Sequence, residues 1–161
     1  MTDHNYVIEL VWTGNTGQGT KHLRSYSRDH DVAGDGLSTI AASSDPAFRG
    51  DPSRWNPEQL YVASIAQCHM LWYLSLAAKS GVTVIGYEDQ PTGLMIEEPS
   101  GAGQFDNVTL RPTVTITADS DAQVAEDLHH RVAEYCFIAR SVQTPIRHVI
   151  TVEYGSDALS R

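Results

Sequence analysis

Positive charge and cysteine are both scarce in this sequence. Its 161 residues include 11 Lys and Arg against 20 Asp and Glu, and the formal net charge is −9 at pH 7. Nucleic acid and anionic membranes are therefore not expected as partners, because no basic surface outweighs the acidic residues. The two cysteines are too few for a disulfide scaffold, so we expect a reducing, cytoplasmic setting. The N-terminal segment also lacks the basic and apolar regions of a signal peptide.

Charge is absent altogether from residues 60–78, a segment long enough to cross a membrane. The segment carries Gln67 and His69 in its middle, and no basic cluster flanks it, so we predict instead a helix buried by protein. Asn56 and Pro57 are typical of the N-cap and first position of that helix, and Ser80-Gly81 is typical of its end.

The remaining chain reads as an alternation of strands and one further helix within a single domain, 1–161. Alternating apolar residues and turn signals predict strands at 6–12, around 23–33, 37–42, 82–88, 108–117 and 146–154. Apolar residues at steps of three and four, from Val124 to Val142, predict a second helix after Ser120. The order is strands, long helix, strands, helix, strand, which predicts an α+β fold.

Each predicted helix carries one cysteine, Cys68 on the first and Cys136 on the second. Free cysteines are most often small apolar residues of a core. Two helices that pack together can also bring two sulfurs close, and a thiol near a positive charge becomes a strong nucleophile, because the thiolate is the reactive form. The candidate cations are Arg28, Arg49 and Arg54.

Two stretches carry a family resemblance. The stretch "NPEQLYVASIAQC" places a cysteine ten residues after a Glu, and "LHHRVAEYCFIARSV" places a second cysteine far downstream. With "SYSRDHD" and "DPAFRGDPSRWNP", these motifs resemble the OsmC/Ohr family (osmotically inducible protein C and organic hydroperoxide resistance protein), and more closely its OsmC-like branch. The resemblance extends from about Tyr26 to Tyr154.

The resemblance implies an OsmC-like fold, in which an intertwined two-fold homodimer buries the central helices under its sheets. It implies a thiol-dependent peroxidase without metal or cofactor, in which Cys68 attacks the peroxide and Cys136 resolves the product to a disulfide. Glu58 matches the active-site glutamate and Arg28 the arginine that pairs with it. An external dithiol, such as dihydrolipoamide or a lipoyl protein, would regenerate the thiols. Phe137 departs from the proline of the Ohr branch, which bears on the preference for organic over hydrogen peroxide.

Two alternatives belong to other classes of function. One is a non-catalytic module that uses the same fold to bind an apolar ligand. The other is a metal site, which would draw its ligands from Cys68, His69, His129, His130 and Cys136. Adjacent residues on a helix diverge by about 100°, so Cys68 and His69 are poorly placed to chelate one ion.

Helix geometry adds an expectation about assembly. Glu58 and Cys68 are ten residues apart, which corresponds to about 15 Å along a helix axis and about 80° around it. Their side chains cannot meet within one chain over that distance. If Glu58 serves Cys68, it therefore comes from a second chain, and we predict an obligate two-fold dimer with two composite active sites.

Overall fold

The structure is a computed structural model that describes residues 2–155. The chain forms two compact units, which divide between Tyr61 and Val62. The first unit contains three antiparallel strands in the order β1-β2-β3, namely β1 (Glu9–Trp12), β2 (His30–Ala33) and β3 (Ile40–Ala42). These strands lie inside the three predicted segments and are shorter than predicted, since the chain between them forms turns.

The long helix α1 (Pro57–Lys79) begins and ends where the sequence predicts. Its start is a reciprocal cap: the Asn56 side chain accepts the Gln59 N–H at 2.8 Å, and the Gln59 side chain accepts the Asn56 N–H at 3.1 Å. Its end is set by Gly81, whose φ of 75° is left-handed. By length and composition alone, α1 is also long and apolar enough to cross a membrane.

The second unit contains two three-stranded mixed sheets. The first has the order β4-β7-β9 and consists of β4 (Val84–Asp89), β7 (Pro112–Ile116) and β9 (Thr151–Tyr154). The second has the order β5-β6-β8 and consists of β5 (Thr92–Glu97), β6 (Gly103–Leu110) and β8 (Ile146–His148). Strand β5 and the first half of β6 were not predicted, because exposed residues obscure their alternation.

Two of the predicted strands are each divided between the sheets. The predicted strand 108–117 breaks at Arg111, because Pro112 has no N–H for the ladder, and the Arg111 N–H instead donates to the Asp89 carboxylate at 2.7 Å. The predicted strand 146–154 breaks after His148, so that β8 belongs to one sheet and β9 to the other.

The prediction of one continuous second helix is wrong. The chain forms α2 (Ala122–Arg131), a 3₁₀ turn (Val132–Glu134) and a short α3 (Phe137–Ser141). Cys136 lies between them in an extended conformation, with φ −68° and ψ 107°, and caps α3 through its sulfur, which accepts the Ala139 N–H at 3.4 Å. The predicted apolar stripe is buried only in part, at Leu128, Val132 and Cys136, and the helix that carries it is interrupted. Val124 and Tyr135, which belong to the same stripe, are exposed.

The core of the second unit joins one end of α1 to α2 and to the β4-β7-β9 sheet. Its buried members are Tyr73, Leu76, Ala77, Val82, Val114, Ile116, Ala125, Leu128, Val132 and Cys136. The Tyr73 hydroxyl donates to the Ala125 carbonyl at 3.1 Å, which ties α1 to α2 directly. The α+β fold class predicted from the sequence is confirmed.

Candidate active site

The two cysteines meet in the second unit. Residue Cys68 is held at mid-length of α1, and Cys136 is presented by the break between the 3₁₀ turn and α3. Their Sγ atoms are 2.8 Å apart, with Cys136 as the donor, and both residues are free thiols. A disulfide has a sulfur–sulfur distance of about 2.05 Å, so less than about 1 Å separates this arrangement from a covalent bond.

The two thiols differ in their surroundings. The side chain of Cys68 is half-buried, whereas Cys136 is 1% exposed. Burial, together with the hydrogen bond to Cys68, raises the pKa of Cys136 to about 11. Cys136 therefore keeps its proton at neutral pH, which is consistent with its role as hydrogen-bond donor to Cys68.

Three aromatic rings surround the break that carries Cys136. The ring of Trp72 lies four residues after Cys68 on α1, stacks on Tyr135 with centroids 5.4 Å apart, and meets the edge of Phe137 at 5.6 Å. The residues before and after Cys136 thus both pack on the helix of Cys68. These contacts fix the non-helical segment against α1.

A chain of three histidines adjoins the cysteine pair. The Nε2 of His69 lies 2.9 Å from Nδ1 of His129, and its Nδ1 lies 3.3 Å from Nε2 of His148. The ring of His129 also stacks on Tyr73, with centroids 3.9 Å apart. Burial, with a smaller effect of His148 on His69 and of His69 on His129, lowers the pKa of both His69 and His129 to about 3. Both rings are therefore neutral at pH 7.

The sequence suggests His69 and His129 only as metal ligands, and it does not single out His148. The local signal for His148 is its place in an alternating pattern. Thr144, Ile146 and His148 are the less exposed residues of this segment, and Arg147 between the last two is exposed. The contact between His69 and His148 spans 79 residues, so no local pattern predicts it.

A cavity of about 230 Å³ lies beside these groups. It is lined by Ile65, His69, Leu110, Val132, Ala133, Cys136, Ala139, Thr144, Ile146 and His148. Most of this wall is apolar, and its reactive groups are the thiol of Cys136 and the two imidazoles. The Cys136 thiol and two of the three histidines therefore border one cavity.

The donor set does not favour a metal centre. Within residues 2–155, no group of three or more His, Cys, Asp or Glu side chains is arranged to hold a metal ion. The rings of His69 and His129 stack with an interplanar angle of 10° and bond to each other, so their nitrogens do not converge on a common point.

The charged candidates lie in the first unit. The guanidinium of Arg28 stands 4.2 Å from the centroid of the Tyr26 ring and donates to the carbonyls of Leu23 and Tyr26, both at 2.8 Å. Across the residues that the structure describes, no ion pair joins Arg28 to Glu58, and Glu58 Oε2 is buried without a hydrogen-bond partner. The expected Arg28–Glu58 pair is thus not formed within one chain.

The competing arginines are placed differently. Arg54 is enclosed by three carboxylates, with nitrogen–oxygen distances of 3.9 Å to Asp29, 3.8 Å to Asp31 and 3.9 Å to Asp51. Arg49 closes the 3₁₀ turn Pro46–Phe48 with a left-handed φ of 68°. Like Arg28, both are held in the first unit by local structure, so the structure does not single out one of the three arginines.

Comparisons with known proteins place this chain in a family. The family model described as OsmC-like protein matches residues 50–151. A structure of an OsmC-like protein of unknown function from Vibrio cholerae is 33% identical, with a TM-score of 0.80, over 93% of this chain and 99% of that chain. Among curated proteins, no sequence matches this chain significantly.

Two more distant structures share the fold. An organic hydroperoxide resistance protein from Elizabethkingia anophelis is 15% identical, with a TM-score of 0.67, over 96% of this chain and 100% of that chain. The organic hydroperoxide resistance protein OhrB of Bacillus subtilis is 18% identical, with a TM-score of 0.60, over 93% of this chain and 98% of that chain. From the family model, the relative from Vibrio cholerae and the common fold, this chain belongs to the OsmC/Ohr family of OsmC-like proteins.

Proposed function

We propose that this protein is a thiol-dependent peroxidase that reduces organic peroxides, and hydrogen peroxide as a further substrate, through Cys68 and Cys136. The observation that carries the proposal is the pair of free sulfurs 2.8 Å apart, one half-buried and one buried. The names of the organic hydroperoxide resistance proteins that share its fold agree with a function in peroxide chemistry.

In the first step, the Cys68 thiolate attacks the distal oxygen of the peroxide. The oxygen–oxygen bond breaks, a sulfur–oxygen bond forms, and the departing alkoxide takes up a proton to become an alcohol. Cys68 is left as a sulfenic acid, the first and reversible stage of thiol oxidation. Cys68 suits this step better than Cys136 because it is the more accessible of the two sulfurs.

In the second step, the Cys136 sulfur attacks the sulfenic sulfur of Cys68. A sulfur–sulfur bond forms, the sulfur–oxygen bond breaks, and the hydroxide leaves as water with the proton of the Cys136 thiol. The short distance between the sulfurs supports this step, because the disulfide can form without unfolding α1 or α3. An external dithiol then reduces the disulfide by exchange, which suits the reducing cytoplasm expected from the sequence.

The remaining roles are carried over from the family resemblance. Arg28 would stabilise the Cys68 thiolate and the developing alkoxide, and Glu58 would hold the guanidinium by a charge-assisted pair. Because Glu58 Oε2 has no partner among the described residues of one chain, a partner from a second chain would complete the arrangement.

An obligate homodimer is part of the proposal. Residues 60–78 of α1 carry no charge, yet Leu71 on this helix is 61% exposed in the single chain. Strand β5 is exposed along its whole length, including Leu94, Met95 and Ile96. Apolar surface of this extent is typical of a face that another protein covers, and a second copy of the chain with antiparallel α1 helices would cover it.

Peroxide consumption tests the proposed activity. The purified protein is given cumene hydroperoxide, a fatty-acid hydroperoxide or hydrogen peroxide, and dihydrolipoamide is compared with thioredoxin and glutathione as reductant. We expect turnover with an organic peroxide and a dithiol. Absence of consumption of every peroxide in excess dithiol would refute the peroxidase and favour the alternative, an apolar-ligand-binding module.

Subunit mixing tests the composite site. A Glu58→Ala chain is co-expressed with a Cys68→Ser chain, and the heterodimer is isolated with two different affinity tags. If the residues are shared across subunits, Cys68 of the first chain faces the intact Glu58 of the second, and one complete site remains. A heterodimer no more active than the Glu58→Ala homodimer, or a stable monomer in solution, would refute shared sites.

A further inference from the structure

The resolving step needs a proton acceptor that the two cysteines do not supply. Burial raises the pKa of Cys136 to about 11, so that at pH 7 only about one thiol in ten thousand is ionised. The thiolate is the form that attacks. A group that accepts the thiol proton during the attack would overcome the small ionised fraction of Cys136.

The cavity beside Cys136 contains two groups of the right chemistry. Among its lining residues, His69 and His148 carry imidazoles, the side chains that can both accept and donate a proton. Neither carries charge at pH 7, because burial lowers the pKa of each. A neutral imidazole has one nitrogen lone pair free to accept a proton.

The hydrogen bonds distinguish these two rings. Both nitrogens of His69 are engaged, one with His129 and the other with His148. His148 bonds to the other histidines only through Nε2, so that its Nδ1 is engaged by neither of them. At the opposite end, His129 Nε2 is buried without a partner among residues 2–155. Of the two cavity-lining rings, His148 is therefore the one with a nitrogen that no other ring occupies.

We propose that His148 is the proton shuttle of the resolving step, and that His69 and His129 are positioning residues that hold its ring. This role rests on the proposed function, because it serves disulfide formation between Cys68 and Cys136. The Nδ1 atom of His148 accepts the proton of the Cys136 thiol, directly or through water in the cavity, as the Cys136 sulfur attacks the sulfenic sulfur.

The step is balanced without any further reactant. The Cys136 sulfur is oxidised and the sulfenic sulfur of Cys68 is reduced as the sulfur–sulfur bond forms. The sulfur–oxygen bond breaks, and the departing hydroxide takes the proton back from His148 to leave as water. The histidine chain ends the step in its starting, neutral state.

The titratable groups that face the three histidines do not provide a competing base. His129 is stacked on the Tyr73 ring, whose pKa is raised to about 12 by burial. His130 is exposed, and its positive form further lowers the pKa of both His129 and His148. Cys136 is the remaining titratable group in the cavity wall. His130 therefore provides a matched control, because it lies next to His129 in the sequence and is not one of the three hydrogen-bonded histidines.

The variant His148→Gln separates proton transfer from structure. The Gln side-chain amide can occupy the position of Nε2 and keep the hydrogen bond to His69, but it cannot shuttle a proton. The matched control is His130→Gln. Folding of both variants is checked by circular dichroism and by urea unfolding, and the thiols are counted in the unfolded state.

The experiment uses Ellman's reagent, so that it does not depend on peroxide. The accessible Cys68 forms a mixed disulfide with the reagent, and attack by Cys136 then releases a second, coloured thiolate. The rate of this second release is followed from pH 6 to pH 9. That leaving group needs no proton, so the measured rate reports deprotonation of Cys136.

We expect the wild-type rate and the His130→Gln rate to vary little over this range. The His148→Gln rate should be at least about tenfold slower at pH 7 and rise about tenfold per pH unit, because only the thiolate fraction then reacts. Added imidazole should restore the rate of a His148→Ala variant. A His148→Gln profile parallel to that of the wild type, or a loss equal at every pH, would overturn the shuttle.

The outcome is separable from the proposed peroxidase function. If the wild type consumes no peroxide but shows the expected Ellman profile, the peroxidase proposal fails and the shuttle stands. If peroxide is consumed and His148→Gln resolves its sulfenic acid at the wild-type rate at every pH, the shuttle fails and the peroxidase stands.

Discussion

The segments that carry Cys68 and Cys136 are built in opposite ways. Cys68 lies at mid-length of a helix of 23 residues, far from both of its caps. Cys136 lies in a break between a 3₁₀ turn and a helix of five residues, where its own sulfur caps the helix. One sulfur is half-buried and the other is 1% exposed.

The difference indicates that the two cysteines have different roles in the reaction. A thiol fixed on a long capped helix has a constant position toward an incoming molecule. The Cys136 backbone is held on both sides, since its N–H donates to the Val132 carbonyl at 2.9 Å and its carbonyl accepts the Arg140 N–H at 3.0 Å. Closure of the disulfide therefore needs only a small shift of the two sulfurs toward each other. Because Cys68 is also the more accessible sulfur, we associate attack with Cys68 and resolution with Cys136.

The largest effect is expected from removing the two sulfurs one at a time. Cys68→Ser should abolish peroxide turnover, because the attacking sulfur is lost. Cys136→Ser should complete one round of oxidation and stop at a Cys68 sulfenic acid, which a dimedone adduct detects by mass spectrometry. Equal and complete loss of reaction with peroxide in two folded variants would remove the distinction between the cysteines.

The sequence predicts the helix that carries Cys68 but not the break that carries Cys136, because only the ends of the helix are marked by local signals. The bounds of α1 follow from Asn56, Pro57 and Gly81, which act within a few residues of themselves. The break at Cys136 was missed because the apolar stripe of α2 continues through it to Cys136, and cysteine is not a usual N-cap residue. The contact between the sulfurs spans 68 residues, and it was expected from the pairing of two helices and from the family resemblance.

The histidine chain could not be predicted for a related reason. His69, His129 and His148 lie on α1, α2 and β8, and no spacing in the sequence relates them. Their neutrality is a consequence of burial, which depends on the complete core. The same holds for the cavity, whose wall combines residues from α1, β6, β8, α3 and the 3₁₀ turn.

The second prediction concerns the stability of the protein in acid, which the buried rings of His69 on α1 and His129 on α2 should lower. His69 and His129 have pKa values of about 3 in the folded state, against an ordinary value of 6.5. The unfolded chain binds more protons below pH 6.5, so the free energy of unfolding should be fully retained above pH 6.5. It should fall as the pH drops from 6.5 toward 3, by up to about 1.4 kcal/mol per pH unit for each ring.

Urea unfolding at pH 7.5 and pH 5 measures this loss. A His129→Asn variant keeps a group able to bond His69 at the position of Nδ1 but does not titrate, so its stability should depend less on pH. The exposed His130→Gln variant is the control and should retain most of the wild-type dependence, because His130 is the smallest of the causes that lower the pKa of His129. Equal stability of the wild type at both pH values would contradict a buried neutral pair.

The third prediction concerns the tether between α1 and α2. Tyr73→Phe removes the hydroxyl that donates to the Ala125 carbonyl at 3.1 Å and keeps the ring that stacks on His129. We expect a loss of about 1 kcal/mol in the free energy of unfolding, the usual contribution of one buried hydrogen bond. The second release of Ellman's thiolate should keep its rate, since both sulfurs stay in place. A large slowing of that release would show that the tether also positions the cysteines.

The smallest effect is expected at residue 137, where the sequence departs from the Ohr branch. Phe137 is the first residue of α3, a position that suits proline, and Cys136 before it has the extended conformation that a following proline requires. Phe137→Pro should therefore leave the break and the Cys136 sulfur where they are. The lost edge contact with Trp72 involves a ring that is 64% exposed, so the stability should change by less than about 1 kcal/mol. Urea unfolding and the second release of Ellman's thiolate measure the two effects, and Phe137→Ala is the matched control for loss of the ring alone. If Phe137→Pro abolishes the release while Phe137→Ala preserves it, the backbone at Cys136 depends on the residue that follows it, and the contrast between a mid-helix cysteine and a capping cysteine has to be redrawn.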